Sequence, residues 1–270
     1  MLLGSIAKKL RNACGVFTGA LFWLVVGPLV GLATIPLFLL PKQTGMKVAR
    51  SIIRVCFRAY VKLMVVTDLV RIEYKNRELV AAATVHGCIL APNHMSLWDA
   101  VFLLADVPNI VCILKHKLLY NPILGFTARA ARYISNIKVS QMLQQACDEI
   151  NSGSILLLFP EGTRTLPSAQ WINPLKASIG FVARQTNAAV IPVLLRSNSR
   201  YLQKGWPAWN LPKFPVLIEV CYTAPLMITE EETAAEFTKR LENIYLTELA
   251  KPHALSRVHS QSACASETPS

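Results

Sequence analysis

The sequence predicts an α/β fold: a mixed sheet of about seven strands flanked by helices, behind an N-terminal membrane-embedded helical segment. Three observations carry that expectation. From about residue 68, short apolar runs alternate with amphipathic stretches, as they do when strands and helices are laid alternately on one sheet. Residues 16–40 hold no charged side chain over 25 positions. The 270 residues are 53% hydrophobic and only 16% charged, where a soluble domain carries roughly 25% charged residues.

The first segment, 1–67, attaches the chain to a membrane. Its apolar stretch 16–40 is long enough to cross a bilayer. It exceeds the 7–15 apolar residues of a secretory signal and lacks a small-residue cleavage site. Two arrangements fit. Gly27-Pro28 and Pro36 interrupt the stretch, and both flanks are basic, with Lys8, Lys9 and Arg11 before it and Lys42, Lys47 and Arg50 after it. Basic flanks prefer the cytoplasmic side, so a helical hairpin dipping into one leaflet is one reading and a single span is the other. Either places the remainder of the chain in the cytoplasm. Over 48–66 a cationic amphipathic helix is expected. Arg50, Arg54, Arg58 and Lys62 recur every four residues among apolar neighbours, a pattern suited to an anionic membrane lipid surface. A helix docked on the protein with a solvated basic edge is the alternative.

Residues 68–250 are expected to form one folded domain. Strands are expected at 70–74, 87–91, 109–114, 133–135, 154–159, 190–195 and 216–222, and helices at 97–105, 122–131, 138–151, 175–186 and 230–250. Residues 251–270 are Ser-rich and weakly patterned, which predicts a disordered tail.

The net charge of +12 raises the question of nucleic acid. Nine basic and no acidic residues lie in 1–67, where the apolar character points to lipid. With no helix-turn-helix or zinc-finger spacing, nucleic acid is not an expected partner. Seven cysteines include no C-x-x-C pair and read as small buried hydrophobes in a reducing compartment. No metal site is visible.

Two motifs carry chemistry. The first, Asn93-His94-Met95-Ser96-Leu97-Trp98-Asp99, follows the strand at 87–91. On one regular helix, positions five apart point about 140° from each other. His94 and Asp99 therefore meet only if His94 lies in the loop and Asp99 in the first helical turn. Ser96-x-x-Asp99 fits a capping box that would begin the helix there, and capping alone is the simpler role for Asp99. The second motif, Phe159-Pro160-Glu161-Gly162-Thr163-Arg164-Thr165, follows the apolar run SILLLF. Pro160 and Gly162 turn the chain at the strand end, presenting a carboxylate, a hydroxyl and a guanidinium together. Arg164 suits bidentate contact with a phosphate, and Lys176 on the following helix adds a second cation.

Together these motifs resemble those of the lysophosphatidate and glycerol-phosphate acyltransferase family, Asn-His-(x)4-Asp and Phe-Pro-Glu-Gly-Thr-Arg-Ser. Asn93, His94 and Asp99 match the first; the second is matched at six of seven positions, with Thr165 in place of Ser. Lys115-x-x-Leu118-x-x-x-Pro122-x-x-Gly125 is similar to the family's acceptor block, and Val190-Ile191-Pro192-Val193 to its apolar strand. The resemblance covers about residues 70–200. It implies the glycerolipid acyltransferase fold. It also implies transfer of a fatty acyl group from acyl-CoA or acyl carrier protein to 1-acylglycerol-3-phosphate (a lysolipid acceptor), making phosphatidic acid without a further cofactor. His94 would be the general base, oriented by Asp99. Glu161, Gly162, Thr163 and Arg164 would form the glycerol-phosphate site. The sequence departs from the family at Lys115-His116-Lys117-Leu118, at Ala177 and over 131–138, where Arg132 or Lys138 stands in for the family's phosphate-contacting Arg. These changes keep a second acceptor open, another lysolipid such as a lyso-amino-acid lipid, and a non-catalytic lipid-binding protein is the contrasting reading. With no organellar targeting segment, the expected location is a bacterial inner membrane, the catalytic domain facing the cytoplasm.

Overall fold

Seven strands form one sheet in the order β1-β7-β6-β2-β5-β3-β4 in a computed structural model that describes residues 2–83, 87–122, 124–207, 210–253 and 255. They are β1 (Val70–Lys75), β2 (Cys88–Pro92), β3 (Ile110–Leu114), β4 (Ile134–Ser135), β5 (Ile155–Leu157), β6 (Ala189–Ser197) and β7 (Val216–Tyr222). Every neighbouring pair is parallel except β6 with β7, so the sheet is mixed, as expected. β2, β5, β3 and β6 therefore all end at one edge, where their following loops converge. Parallel strands buried on both faces read as continuous apolar runs, which is why they stand out in the sequence. All five residues of β2 are buried.

One face is covered by α2 (Lys42–Val66), α3 (Arg77–Ala83), α4 (Asp99–Asp106) and α5 (Gly125–Ala130). Phe102, Leu103, Met64 and Tyr60 pack there against the strands. The other face is covered by α6 (Val139–Asn151), α7 (Ser178–Thr186) and α8 (Ala234–Ala250), through Ile150, Ile179, Phe237 and Tyr245. The helix expected over 122–131 shortens to α5, preceded by a 3-10 turn at His116–Tyr120. α3 has no counterpart in the sequence reading because its seven residues, RELVAAA, are too short to show a period.

In the N-terminal segment the structure departs from one of two readings left open by the sequence, at two places. α1 (Leu2–Ala33) runs unbroken through Pro28, so no hairpin forms within 16–40. The chain reverses at 34–41 instead, where Pro36 opens a 3-10 turn, and α2 returns alongside α1. Phe22 and Trp23 of α1 pack tilted or edge-on against Phe57 and Tyr60 of α2 at ring separations of 5.1–5.5 Å. α1 leaves Phe17, Leu24, Leu29 and Leu32 exposed. The stretch Leu10–Leu39 is long and apolar enough to cross a membrane.

The second departure is the basic stripe. Positions four apart drift by about 40° per step, so Arg50 and Lys62 point about 120° apart. Arg50 is 3% exposed. It donates to Glu149 Oε2 (2.8 Å), Ser154 Oγ (2.8 Å), Asn109 Oδ1 (3.1 Å) and the Ala131 carbonyl (3.1 Å). Arg54 donates to the Asp106 carbonyl at 2.7 Å. Only Arg58 and Lys62 of the four are exposed. The first half of the stripe therefore ties α2 to the catalytic domain rather than facing lipid. The expected tail lies outside the described residues, apart from 251–253 and 255.

Candidate active site

The first motif occupies the loop between β2 and α4. Asn93 continues the β2–β6 pairing with its side chain, donating from Nδ2 to the Leu195 carbonyl (3.1 Å) and accepting from the Leu195 N–H at 2.7 Å. Behind it, the buried Tyr245 hydroxyl donates to the Ala91 carbonyl. Both hold the strand end from which His94 projects. Sequence reasoning passed over Tyr245, whose 17-residue helix lies more than 140 residues away and shows only ordinary amphipathic spacing.

His94 Nδ1 lies 3.0 Å from Asp99 Oδ2. That same oxygen accepts the Ser96 N–H at 2.7 Å, while Ser96 Oγ accepts the Trp98 N–H at 3.2 Å. Asp99 thus holds both the Ser96 N–H and the imidazole, while the expected capping box does not form: the N-cap is Trp98, without a side-chain cap bond. The regular helix starts at Asp99, after a turn at 97–98. Burial pushes the Asp99 carboxyl above its ordinary pKa, and the donors from His94, Ser96 and Met95 oppose that shift. An ionised Asp99 can only accept, which favours the tautomer that carries its imidazole proton on Nδ1.

The second motif braces the first. Glu161 is 1% exposed and accepts from the His94 N–H (2.7 Å), the Asn173 N–H (2.7 Å) and the Thr165 hydroxyl (2.9 Å). The Thr165 N–H returns a bond to the His94 carbonyl. Phe159 stacks on the imidazole, centroids 4.0 Å apart with 28° between planes. His94 is therefore held at its backbone, at Nδ1 and on one ring face. The serine-to-threonine change keeps the hydroxyl that Glu161 requires. Asn173, also missed in the sequence, closes this loop by accepting the Leu166 N–H and donating to the Arg164 carbonyl.

Gly162 turns with φ +68°, and its missing Cβ would lie 3.4 Å from the Lys176 side chain. Lys176 is exposed, in the loop just before α7 rather than on the helix. Thr163 is half-buried beside this turn. Arg164 points elsewhere than expected: its Nη1 donates to the carbonyls of Leu202 (2.6 Å) and Gln203 (3.1 Å) in the β6–β7 loop.

Lys138 lies off the end of β4, at the same sheet edge as His94 but three strands over, about 14 Å by strand spacing. Arg132 is set apart from the site. It precedes β4 beside Ala131, whose carbonyl shares Arg50 with Asn109 and Ser154 at the starts of β3 and β5. The starts of β3 and β5 lie at the opposite sheet edge from His94, while β4 itself pairs with the last two residues of β3. Among the described residues, no group of three or more His, Cys, Asp or Glu is placed to hold a metal ion.

Residues 71–196 match the family model described as Acyltransferase. The 1-acyl-sn-glycerol-3-phosphate acyltransferase of Pseudomonas aeruginosa is 29% identical over 166 residues, 57% of this chain and 61% of that protein. The enzyme of the same name from Saccharomyces cerevisiae is 27% identical over 166 residues, 57% of this chain and 52% of that protein. The matched region thus spans less than two thirds of either relative. The crystal structure of the 1-acyl-sn-glycerophosphate (LPA) acyltransferase from Thermotoga maritima superposes with a TM-score of 0.64 at 19% identity, covering 92% of this chain and 99% of that one. At that identity the likeness is one of fold.

Proposed function

We propose that this chain is an acyltransferase, as the match of residues 71–196 to the Acyltransferase family model supports, and that it acylates the free hydroxyl of 1-acylglycerol-3-phosphate, making phosphatidic acid. The observation that carries the reading is the His94 Nδ1–Asp99 Oδ2 contact of 3.0 Å, with the ring braced by Phe159. His94 Nε2 takes the hydroxyl proton as that oxygen attacks the thioester carbonyl. Asp99 stabilises the imidazolium that forms. The tetrahedral intermediate collapses, the C–S bond breaks, and the imidazolium returns its proton to the departing thiolate. The acceptor's phosphate is assigned to the Gly162–Lys176 side of His94. Glu161 acts on the reaction through the His94 backbone.

Acyl-CoA or acyl carrier protein serves as donor. α1, with its exposed apolar residues, holds the enzyme at a bacterial inner membrane, catalytic domain to the cytoplasm, beside the anionic lipid that receives the product. A second reading, transfer to another lysolipid, is supported by one observation: Ala131, next to Arg132, is tied through Arg50 to the starts of β3 and β5, away from His94. The test is to supply membranes containing the protein with labelled acyl thioester and a panel of lysolipids. Preferential labelling of lysophosphatidate supports the first acceptor. Labelling confined to a lysolipid without a terminal phosphate overturns it and leaves the second.

A further inference from the structure

Loops follow β5 and β6 on either side of β2, and so flank His94. On the β5 side stand Gly162 and Lys176. On the β6 side stands the loop 198–214, of which 208–209 lie outside the described residues. This second loop is fixed in place. The Leu97 N–H donates to the Leu202 carbonyl, Ser96 Oγ donates to the Tyr201 carbonyl at 3.1 Å, and Arg164 donates to Leu202 and Gln203. Tyr201 anchors it edge-on against Trp98 (5.1 Å), Trp206 (6.4 Å) and Phe214 (6.4 Å). It turns at Gly205 with φ +83°.

Its charge is one-sided. From Gly162 to Ile218 the sequence has no Asp or Glu, and Arg200, Lys204 and Lys213 are all exposed. They form no ion pair among the described residues. Such a surface attracts a polyanion. Two phosphorylated substrates meet at His94, and their phosphates lie at different reaches from the reacting atoms. In lysophosphatidate the phosphate is on the same glycerol as the attacking hydroxyl, which suits the adjacent Gly162–Lys176 turn. In a CoA thioester the phosphates lie at the far end of the pantetheine arm. That suits cations displaced along a loop whose hydrogen bonds to the catalytic turns are made, among the described residues, by 201–203.

We propose that Arg200, Lys204 and Lys213 of the β6–β7 loop bind the nucleotide phosphates of a CoA thioester donor, with Arg164 and Tyr201 fixing the loop beside His94. The proposal rests on the acyltransferase reading and extends it to the donor. The test uses the full-length protein in neutral vesicles with two donors, palmitoyl-CoA and palmitoyl-pantetheine, which lacks the nucleotide. The variant Arg200→Gln/Lys204→Gln/Lys213→Gln should raise KM for palmitoyl-CoA at least tenfold. Its KM for lysophosphatidate and its turnover of palmitoyl-pantetheine should stay within twofold of wild type, the latter also reporting an intact fold. If the triple variant loses both donors, Lys204→Glu alone, at an exposed turn, decides by the same ratio. An unchanged KM for palmitoyl-CoA overturns the assignment. So does a loss equal for both donors and seen only on anionic vesicles, which would make the loop a lipid contact. So does wild-type turnover only with acyl carrier protein. If the wild type acylates nothing with any thioester, the acyltransferase reading itself has failed.

Discussion

Replacing Glu161 by glutamine keeps the shape of a buried side chain and removes one acceptor oxygen. In the structure both carboxylate oxygens are used: Oε1 takes the His94 N–H and Oε2 the Asn173 N–H, each at 2.7 Å. The partners are all donors, so the new NH2 must face one N–H whichever way the amide turns. An orphaned buried donor costs about 1–3 kcal/mol, and the surviving bond loses its charge assistance. Against this, glutamine relieves the burial of a charge, the largest influence on the raised Glu161 pKa. Because the converging donors have no substitute acceptor, loss outweighs relief, and we expect about 2–3 kcal/mol of destabilisation. In a domain of this size that lowers Tm by about 4–12 °C. The His94 backbone loses its clamp, and a shift of the base by about 1 Å costs roughly 100-fold in turnover. Thermal melts in detergent with transfer rates measure both. A Glu161→Gln enzyme with wild-type Tm and kcat, and only a raised KM for the lysolipid, would place Glu161 against the substrate and refute the bracing role.

Other outcomes follow from neighbouring geometry. Asp99→Asn removes the acceptor that fixes the His94 tautomer and should lower kcat by about 10³–10⁴-fold with little change in KM; a loss below tenfold contradicts the assignment. Arg50→Met breaks the link from α2 to Glu149, Ser154 and Asn109 and should cost about 3 kcal/mol. The folded fraction should keep its turnover, since Arg50 lies at the sheet edge opposite His94; chemical denaturation and rates normalised to folded protein check this. Glu219, on β7, is nearly buried; burial raises its carboxyl, but Lys75, Arg196 and His253 outweigh that and hold it below its ordinary value. A depressed carboxylate stabilises the fold above its unfolded pKa, and that share is lost as the pH falls below about 4. Tm measured down the acid limb should therefore drop less steeply in Glu219→Gln than in wild type.

The central strands β2, β3 and β5 were legible because parallel, doubly buried strands are unbroken apolar runs, and every strand lies within two residues of its expected place. His94 and Asp99 were legible because a fixed spacing across a strand-to-helix turn restricts the geometry that joins them. Arg50 was misjudged because spacing alone gives a helical stripe without saying which side of it is covered. Its partners Asn109, Glu149 and Ser154 are 59–104 residues away and leave no local mark. Arg164 drew attention as a phosphate ligand through its residue type, while its observed acceptors are backbone carbonyls of the β6–β7 loop. Backbone acceptors carry no residue identity, so no motif records them. Pro28 predicted a break because proline removes one helical hydrogen bond. The long apolar helix around it tolerates that loss.

The central claim is that His94 is the base for acyl transfer, and its most direct test compares wild type with His94→Ala in membranes supplied with labelled acyl-CoA and lysophosphatidate. Transfer to phosphatidic acid is expected from the wild type, with a loss of at least 1,000-fold in the variant, roughly the scale of removing a catalytic base with its partner. Membrane attachment through α1 should be unchanged. Transfer by the variant within tenfold of wild type would contradict the account.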